Sequence, residues 1–145
     1  MTTGYTFEQL EVGLSASRGR TVTEADVVAF AGMSGDYNPM HVDEEFASST
    51  RFQGRIGHGM FTASLLSAVL GMDLPGPGAI YVHQTLHFKA PVRIGDTVTA
   101  RVVVRELKTH KHMVVFDTTC LVRGAPVLTG EAVMMVPPRE TAPAV

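Results

Sequence analysis

Two side chains that can exchange protons lie close together in an irregular part of the chain. The run GDYNPMHVD, residues 35–43, carries Asp36 and His41 five positions apart. The Asn38-Pro39 pair predicts an extended or turned backbone between them, so both side chains can converge. A histidine that titrates near neutral pH beside a carboxylate suits acid/base work on a carbonyl compound. Spacing alone favours a simpler interpretation, in which Asp36 and Asn38 are turn residues and His41 lies on the surface.

A second candidate feature is the start of a helix. The run IGHGM, residues 56–60, leads directly into a long apolar segment. Backbone N–H groups near Gly59 would therefore lie at a helix N-terminus with unused hydrogen-bonding capacity, and glycine permits close approach of a substrate carbonyl. Such donors can form an oxyanion site. Equally, Gly57 and Gly59 could serve only the turn into the helix.

The helices around these features are predicted from capping and periodicity. Thr23 and Asp26 resemble a weakened capping box and predict a helix over residues 23–33, with Gly35 as its stop signal. The strongest helical segment covers residues 58–72 and is apolar or small on nearly every face. A helix that is apolar all round is expected to be buried.

The second half of the chain changes to a period of two. Apolar residues alternate with polar ones in runs separated by turn signals such as Ile94-Gly95-Asp96. The pattern predicts an α+β fold, in which an antiparallel sheet of about five strands packs on one long helix. One helix cannot cover such a sheet and its edges, so we expect a homodimer. The predicted strands lie at about 15–22, 80–88, 97–105, 114–122 and 127–136.

Composition narrows the class of protein. The chain has 145 residues and a net charge of -2, which predicts one globular domain without the basic surface that nucleic acid requires. Its one cysteine, Cys120, excludes an intramolecular disulfide and a multi-cysteine metal site. No run predicts a signal peptide or a membrane span, so we expect a cytoplasmic protein with no membrane partner. Residues 1–137 are expected to form the domain and residues 138–145 a flexible tail.

Four longer runs resemble a known family. Similarity to the hydratase motif of MaoC-like proteins, and in particular to the (R)-specific enoyl-CoA hydratases, is carried by SGDYNPMHVDEEFA and FQGRIGHGMFTASLLS. Two later runs, IYVHQTLHFKAPVRIGD and LTGEAVMMVP, extend the resemblance over nearly the whole chain. The resemblance implies a hotdog fold, in which a sheet wraps a central helix and two subunits join their sheets.

The resemblance also implies roles for individual residues. Asp36, His41 and Gly59 would be catalytic: His41 would activate water for attack on the β-carbon, Asp36 would exchange a proton at the α-carbon, and the Gly59 N–H would stabilise the thioester oxygen. The assignment of the two protons between Asp36 and His41 stays open. The expected substrate-binding residues are Asn38, Pro39, His58, Met60 and Ser67. A purely structural role also remains open for His58 and Ser67.

These roles imply a hydro-lyase that hydrates trans-2-enoyl-CoA to (R)-3-hydroxyacyl-CoA without a metal or redox cofactor. Three alternatives share the fold and the thioester: a 3-hydroxyacyl-[acyl carrier protein] dehydratase, a hotdog thioesterase and a non-catalytic acyl-thioester-binding subunit. The expected partner is an acyl-CoA or acyl carrier protein thioester. Arginine and lysine suit its phosphates, and the candidates are Arg51, Lys89, Arg93 and Arg123.

Overall fold

One antiparallel sheet of six strands dominates the computed structural model, which describes residues 3–140. The strands are β1 (Ser15–Thr21), β2 (Ile80–Gln84), β3 (His87–Phe88), β4 (Thr97–Lys108), β5 (Met113–Val122) and β6 (Ala125–Met135). They lie in the order β1-β4-β5-β6-β2, and β3 also pairs with β6. The described strands therefore leave β1 and β2 at the two edges.

The four α-helices of the described residues all lie between β1 and β2 in the chain, and two short 3-10 helices, Phe7–Gln9 and Thr109–Lys111, lie outside that interval. The α-helices are α1 (Glu24–Ser34), α2 (Pro39–Val42), α3 (Glu44–Ser48) and α4 (Gly59–Met72). The predicted capping box at the start of α1 is confirmed, because Asp26 N–H donates to Thr23 Oγ1 at 3.1 Å and Thr23 N–H donates to Asp26 Oδ2 at 3.0 Å. The predicted stop is also confirmed, since Gly35 adopts a left-handed φ of 79°.

The core lies between α4 and one face of the sheet. Alternate residues of β4, among them Val98, Val102 and Val104, are buried against α4, as the period of two predicts. Phe116 of β5 and Leu66 of α4 join the same core. This layer of helix on sheet is the predicted α+β architecture.

The prediction that the long helix is buried on all faces is wrong for α4 in the described chain. Its inner face is buried, whereas a stripe along its outer face is exposed because one sheet can cover only one side of a helix. The exposed stripe follows the helical period and consists of Met60, Ser64, Ser67, Ala68, Gly71 and Met72. We call it the open face of α4.

The strand predicted over residues 80–88 is divided into β2 and β3. The division occurs at Thr85, whose carbonyl oxygen lies very close to Gly130 of β6. A Cβ at position 130 would be 1.9 Å from that oxygen. Glu131 N–H also bonds to Thr85 Oγ1 at 3.0 Å instead of continuing a regular ladder. The sheet therefore has six strands rather than about five.

The predicted tail, residues 138–145, lies only partly within the described residues. Arg139 N–H donates to the carboxylate of Glu8 at 2.8 Å, and Pro138 to Glu140 form no regular element. Residues 141–145 lie outside the described residues. Within residues 3–140, none of the helices combines the length and the hydropathy needed to cross a bilayer.

Candidate active site

The loop between α1 and α2 is held by three successive side-chain to backbone hydrogen bonds. Asp36 N–H donates to Ser34 Oγ, Asn38 N–H donates to Asp36 Oδ1, and Met40 N–H donates to Asn38 Oδ1, each at 3.1 Å. Asn38 thereby caps α2, with Pro39 at its first position. Asn38 itself is extended, as expected before proline, and the chain then forms a helical turn that the sequence analysis did not predict.

The imidazole of His41 is held in one tautomer. Its Nδ1 lies 2.8 Å from the carbonyl oxygen of Ile56, and a carbonyl can only accept, so Nδ1 carries the hydrogen. In the neutral ring Nε2 then has a free lone pair, which is the state that a general base requires. The side chain of His41 is mostly buried, so its orientation is fixed by packing as well as by this bond.

Asp36 and His41 converge as the sequence analysis predicts. Asp36 Oδ2 lies 3.9 Å from His41 Nε2, which is too long for a direct hydrogen bond. A water molecule placed between these atoms could bond to both. Asp36 Oδ1 accepts from the loop backbone, and Oδ2 of this half-exposed side chain is the oxygen that faces the imidazole. The pair can therefore take a proton from water and return one to a substrate.

His58 lies behind the pair rather than in contact with solvent. Its side chain is only 2% exposed, and its Nε2 donates to the carbonyl oxygen of Asp36 at 2.9 Å. The ring stacks on His41 with centroids 3.9 Å apart, and Phe30 covers its other side at 4.9 Å. His58 thus supports both members of the pair.

Asp36, His41 and His58 also bring possible metal ligands within 4.8 Å of one another. The two imidazoles are stacked with 31° between their planes. His41 Nδ1 and His58 Nε2 are each bonded to a backbone carbonyl, which leaves His41 Nε2 and the buried His58 Nδ1 as the ring nitrogens that carry no hydrogen in the neutral rings. Three ligands are fewer than the four of a closed structural zinc site, and the same groups suit proton transfer.

A cavity of about 270 Å³ lies beside His41 and brings it together with Gly59. Gly59 is the first residue of α4, and the side chain of the N-cap residue, His58, makes no capping hydrogen bond to that helix terminus. Its backbone donor therefore remains available for an oxygen in the cavity. Thr62, one turn further along α4, lines the same cavity.

Phe88 is a cavity residue that the sequence analysis missed. Its ring lies so close to Gly59 that a Cβ at position 59 would be 2.8 Å from Phe88 Cε1. The side chain is 53% exposed and belongs to the two-residue strand β3. Its position depends on the break between β2 and β3, which no local pattern signals.

Other expected substrate-binding residues are not brought together around the cavity. Asn38 and Pro39 organise the start of α2, and His58 contacts Asp36 and His41 from the buried side. Met60 and Ser67 lie on the open face of α4. Their expected contact with substrate would require that face to be part of the binding site.

The basic residues named above divide into two groups. Arg51 and Lys89 line the cavity near its exposed side. By contrast, Arg93 donates to the carbonyl oxygen of Phe52 at 2.6 Å, and Arg123 pairs with Asp96 at 2.9 Å. Arg51 and Lys89 are therefore the better placed for phosphates.

The chain is similar to proteins of known name along most of its length. An (R)-specific enoyl-CoA hydratase of Rhodospirillum rubrum is 57% identical over 133 residues, covering 92% of each chain. A 3-hydroxybutyryl-CoA dehydratase of Methylorubrum extorquens is 51% identical over 94% of this chain and 87% of that protein. The solved structure of an (R)-hydratase from Aeromonas caviae superposes with a TM-score of 0.87 at 46% identity, covering 90% of this chain and 99% of that one.

The structural likeness, together with the sheet around α4, confirms the predicted hotdog fold. The family model of the MaoC like domain matches residues 7–124, which include the loop, α4 and most of the sheet. The chain therefore belongs to the MaoC-like domain family.

Proposed function

We propose that this protein is a hydro-lyase that reversibly hydrates trans-2-enoyl-CoA to (R)-3-hydroxyacyl-CoA. The observation that carries the proposal is the free Nε2 of His41, which faces the Asp36 carboxylate beside a cavity that also holds the Gly59 terminus. The relatives named for this chemistry cover nearly the whole chain at high identity. A base, a proton donor and an oxyanion donor are the three groups that such an addition needs.

The reaction proceeds by addition of water across the carbon–carbon double bond. His41 Nε2 takes a proton from water as the water oxygen bonds to the β-carbon, and the π electrons move toward the thioester oxygen. The Gly59 N–H donates to that oxygen as it becomes enolate-like. The proton that His41 took from water passes to the Asp36 carboxylate, and Asp36 delivers it to the α-carbon, so both groups return to their starting states. Dehydration follows the same steps in reverse.

Coenzyme A is the carrier that we assign to the substrate. Arg51 and Lys89 lie on the cavity wall, where a cation can meet the phosphates of a carrier whose thioester reaches Gly59. Two close relatives are named for CoA thioesters, which supports the same assignment. An acyl carrier protein would bring its own surface charges and is tested as the competing carrier.

We propose that the active form is a homodimer. The apolar side chains Ile80 and Val82 are exposed on edge strand β2, and the open face of α4 is apolar or small along its whole length. Unpaired strand edges and exposed apolar faces are usually covered by a second chain. Light scattering coupled to size-exclusion chromatography should give twice the mass of the chain, and Val82→Lys should shift the measured mass toward that of the monomer. A monomer at all concentrations would contradict the proposal.

We also infer a cytoplasmic location from the substrate. A thioester that carries the charged phosphates of coenzyme A does not cross an apolar bilayer readily, so it must be converted in the compartment where it is made. Cell fractionation with a tagged chain should recover the activity in the cytoplasmic fraction. Recovery outside the cytoplasm would contradict this inference.

The function is tested with crotonyl-CoA as substrate. The purified protein should remove the enoyl-thioester absorbance, and the product should be (R)-3-hydroxybutyryl-CoA with its thioester intact. Release of free thiol without hydration would indicate a thioesterase. Faster turnover of the crotonyl thioester of an acyl carrier protein would identify the dehydratase alternative. Stoichiometric binding of both thioesters without turnover would identify a non-catalytic subunit.

A further inference from the structure

We propose that Arg55 is a positioning residue that holds the catalytic imidazole of His41 in place. The inference rests on the proposed function, because it concerns the base of that reaction. Arg55 does not reach the reacting atoms through any contact described above. It acts through the backbone of His41, and no feature of its sequence position predicts this role.

The side chain of Arg55 joins α2 to α1. Its Nε donates to the carbonyl oxygen of His41 at 2.5 Å. Its two terminal nitrogens donate to the two carboxylate oxygens of Glu24 at 2.8 and 3.0 Å, which gives a bidentate pair. The Arg55 side chain is only 15% exposed, whereas that of Glu24 is 59% exposed, so the bond to the His41 carbonyl is better shielded from solvent than the pair with Glu24.

The main chain around Arg55 holds α2 at further points. Its own N–H donates to Glu44 Oε2 at 3.2 Å, which ties it to α3. The next residue, Ile56, donates its N–H to the carbonyl oxygen of Met40 at 3.2 Å and accepts from His41 Nδ1 at 2.8 Å. Residues 55–56 therefore make two hydrogen bonds with His41, one with its backbone carbonyl and one with its ring.

These hydrogen bonds are needed because α2 is too short to be stable alone. It contains four residues, Pro39–Val42, and a helix of that length has little cooperative stability of its own. Carbonyl groups in the last turn of a helix also lack intrahelical partners. Arg55 supplies a charged donor to one of them, the carbonyl of His41. The orientation of the imidazole thus depends on a contact outside its own helix.

An arginine is required at this position rather than any cation. The planar guanidinium presents donors in a fixed fork, so it can bond to the His41 carbonyl and to both oxygens of Glu24 together. A lysine has one ammonium group and can preserve one of these contacts at a time. Arg55→Lys should therefore restore part of what Arg55→Met removes.

The structure offers a control pair at the opposite end of α4 from Gly59. Arg18 of β1 also forms a bidentate pair, with Asp73, at 2.5 and 2.9 Å. Asp73 follows the C-terminal end of α4, whereas the catalytic Gly59 is at its N-terminal end. Arg18→Met removes an equivalent ion pair without touching the backbone of a catalytic residue.

The experiment compares the wild type, Arg55→Met, Arg55→Lys and Arg18→Met with crotonyl-CoA. Displacing a reacting group by about 1 Å can cost about 10²-fold. We therefore expect kcat of Arg55→Met to fall about 10- to 100-fold with KM changed less than about threefold, and Arg55→Lys to be intermediate. Arg18→Met should keep its kcat. An unchanged kcat in Arg55→Met, or an equal loss in Arg18→Met, would overturn the proposal.

Nitrogen NMR of the His41 ring separates this proposal from the assignment of the reaction. In the wild type we expect the signature of a ring with hydrogen on Nδ1, and in Arg55→Met a mixture of tautomers as the bond to Ile56 weakens. Arg18→Met should match the wild type. If the wild type shows the Nδ1–H signal but no hydratase activity, and Arg55→Met loses that signal, the hydratase function is rejected and the positioning role is kept. An Nδ1–H signal that Arg55→Met leaves unchanged would reject the positioning role.

Discussion

Replacing Gly59 by alanine tests the role of the α4 terminus most sharply. A Cβ at this position would lie 2.8, 3.0 and 3.3 Å from three carbon atoms of the Phe88 ring. Phe88 is half exposed on a short strand, so its ring can move aside. Alanine also has less conformational entropy than glycine in the unfolded chain, and this offsets the crowding by about 0.4–1 kcal/mol. We expect the free energy of unfolding to change by less than about 1 kcal/mol.

The effect on catalysis should be much larger than the effect on folding. The added methyl group occupies the space through which the thioester oxygen approaches the Gly59 N–H. Loss of one oxyanion donor costs about 3 kcal/mol, which corresponds to about 10²-fold in kcat. Stopped-flow or steady-state kinetics with crotonyl-CoA measures this loss of kcat, and thermal unfolding of the same samples measures stability.

A double variant distinguishes a blocked donor from a displaced ring. Phe88→Ala removes the crowded ring, and Gly59→Ala/Phe88→Ala keeps only the methyl group. The double variant should stay about 10²-fold slower than Phe88→Ala, because its methyl group still blocks the Gly59 N–H. Recovery of the double variant to the rate of Phe88→Ala would refute the role of the Gly59 N–H, as would a Gly59→Ala enzyme within threefold of the wild type.

Three further predictions concern groups outside the catalytic pair. Burial raises the pKa of the Cys120 thiol to about 12, so a thiol reagent should leave the native protein unlabelled and label it fully after denaturation. Gly57→Ala would bring its Cβ within 3.3 Å of the Val92 carbonyl; calorimetry should show a change in unfolding free energy below about 1 kcal/mol, with kcat retained. Hydrogen bonds from Arg18 hold the pKa of Asp73 below its usual value, so the stability that this carboxylate adds is present near neutrality and is lost as the pH falls through its lowered pKa. Acid titration should therefore show the small difference between wild type and Asp73→Asn shrinking at low pH, whereas an increase would contradict the sign.

Local signals in the sequence account for much of the fold. The Thr23 and Asp26 pair and Gly35 define α1 because caps depend on neighbouring residues alone. The period of two in β4 and β5 predicts their buried faces for the same reason. Asn38-Pro39 allowed Asp36 and His41 to converge, but spacing alone favoured two turn residues and a surface histidine, so the family resemblance was needed to predict the pair.

Features that depend on distant contacts were not predictable. The break after β2 arises from the approach of Thr85 to Gly130, which are far apart in the sequence. The exposure of Ser67 depends on which side of α4 meets the sheet, and an apolar pattern on every face does not choose a side. Contacts of Arg55 with Glu24 and His41 likewise follow only from the folded positions of three helices and a loop.

The central claim is that Asp36 and His41 act together as the acid/base pair, and single and double substitutions test it most directly. Asp36→Asn and His41→Ala should each lower kcat for crotonyl-CoA by about 10²- to 10⁴-fold, since each removes one of the two proton-transfer groups. The double variant should be little slower than the slower single one, because the pair works as a unit. His110→Ala, at an exposed histidine, should behave as wild type. Either single variant retaining more than about a tenth of the wild-type kcat, with its fold intact, would contradict the account.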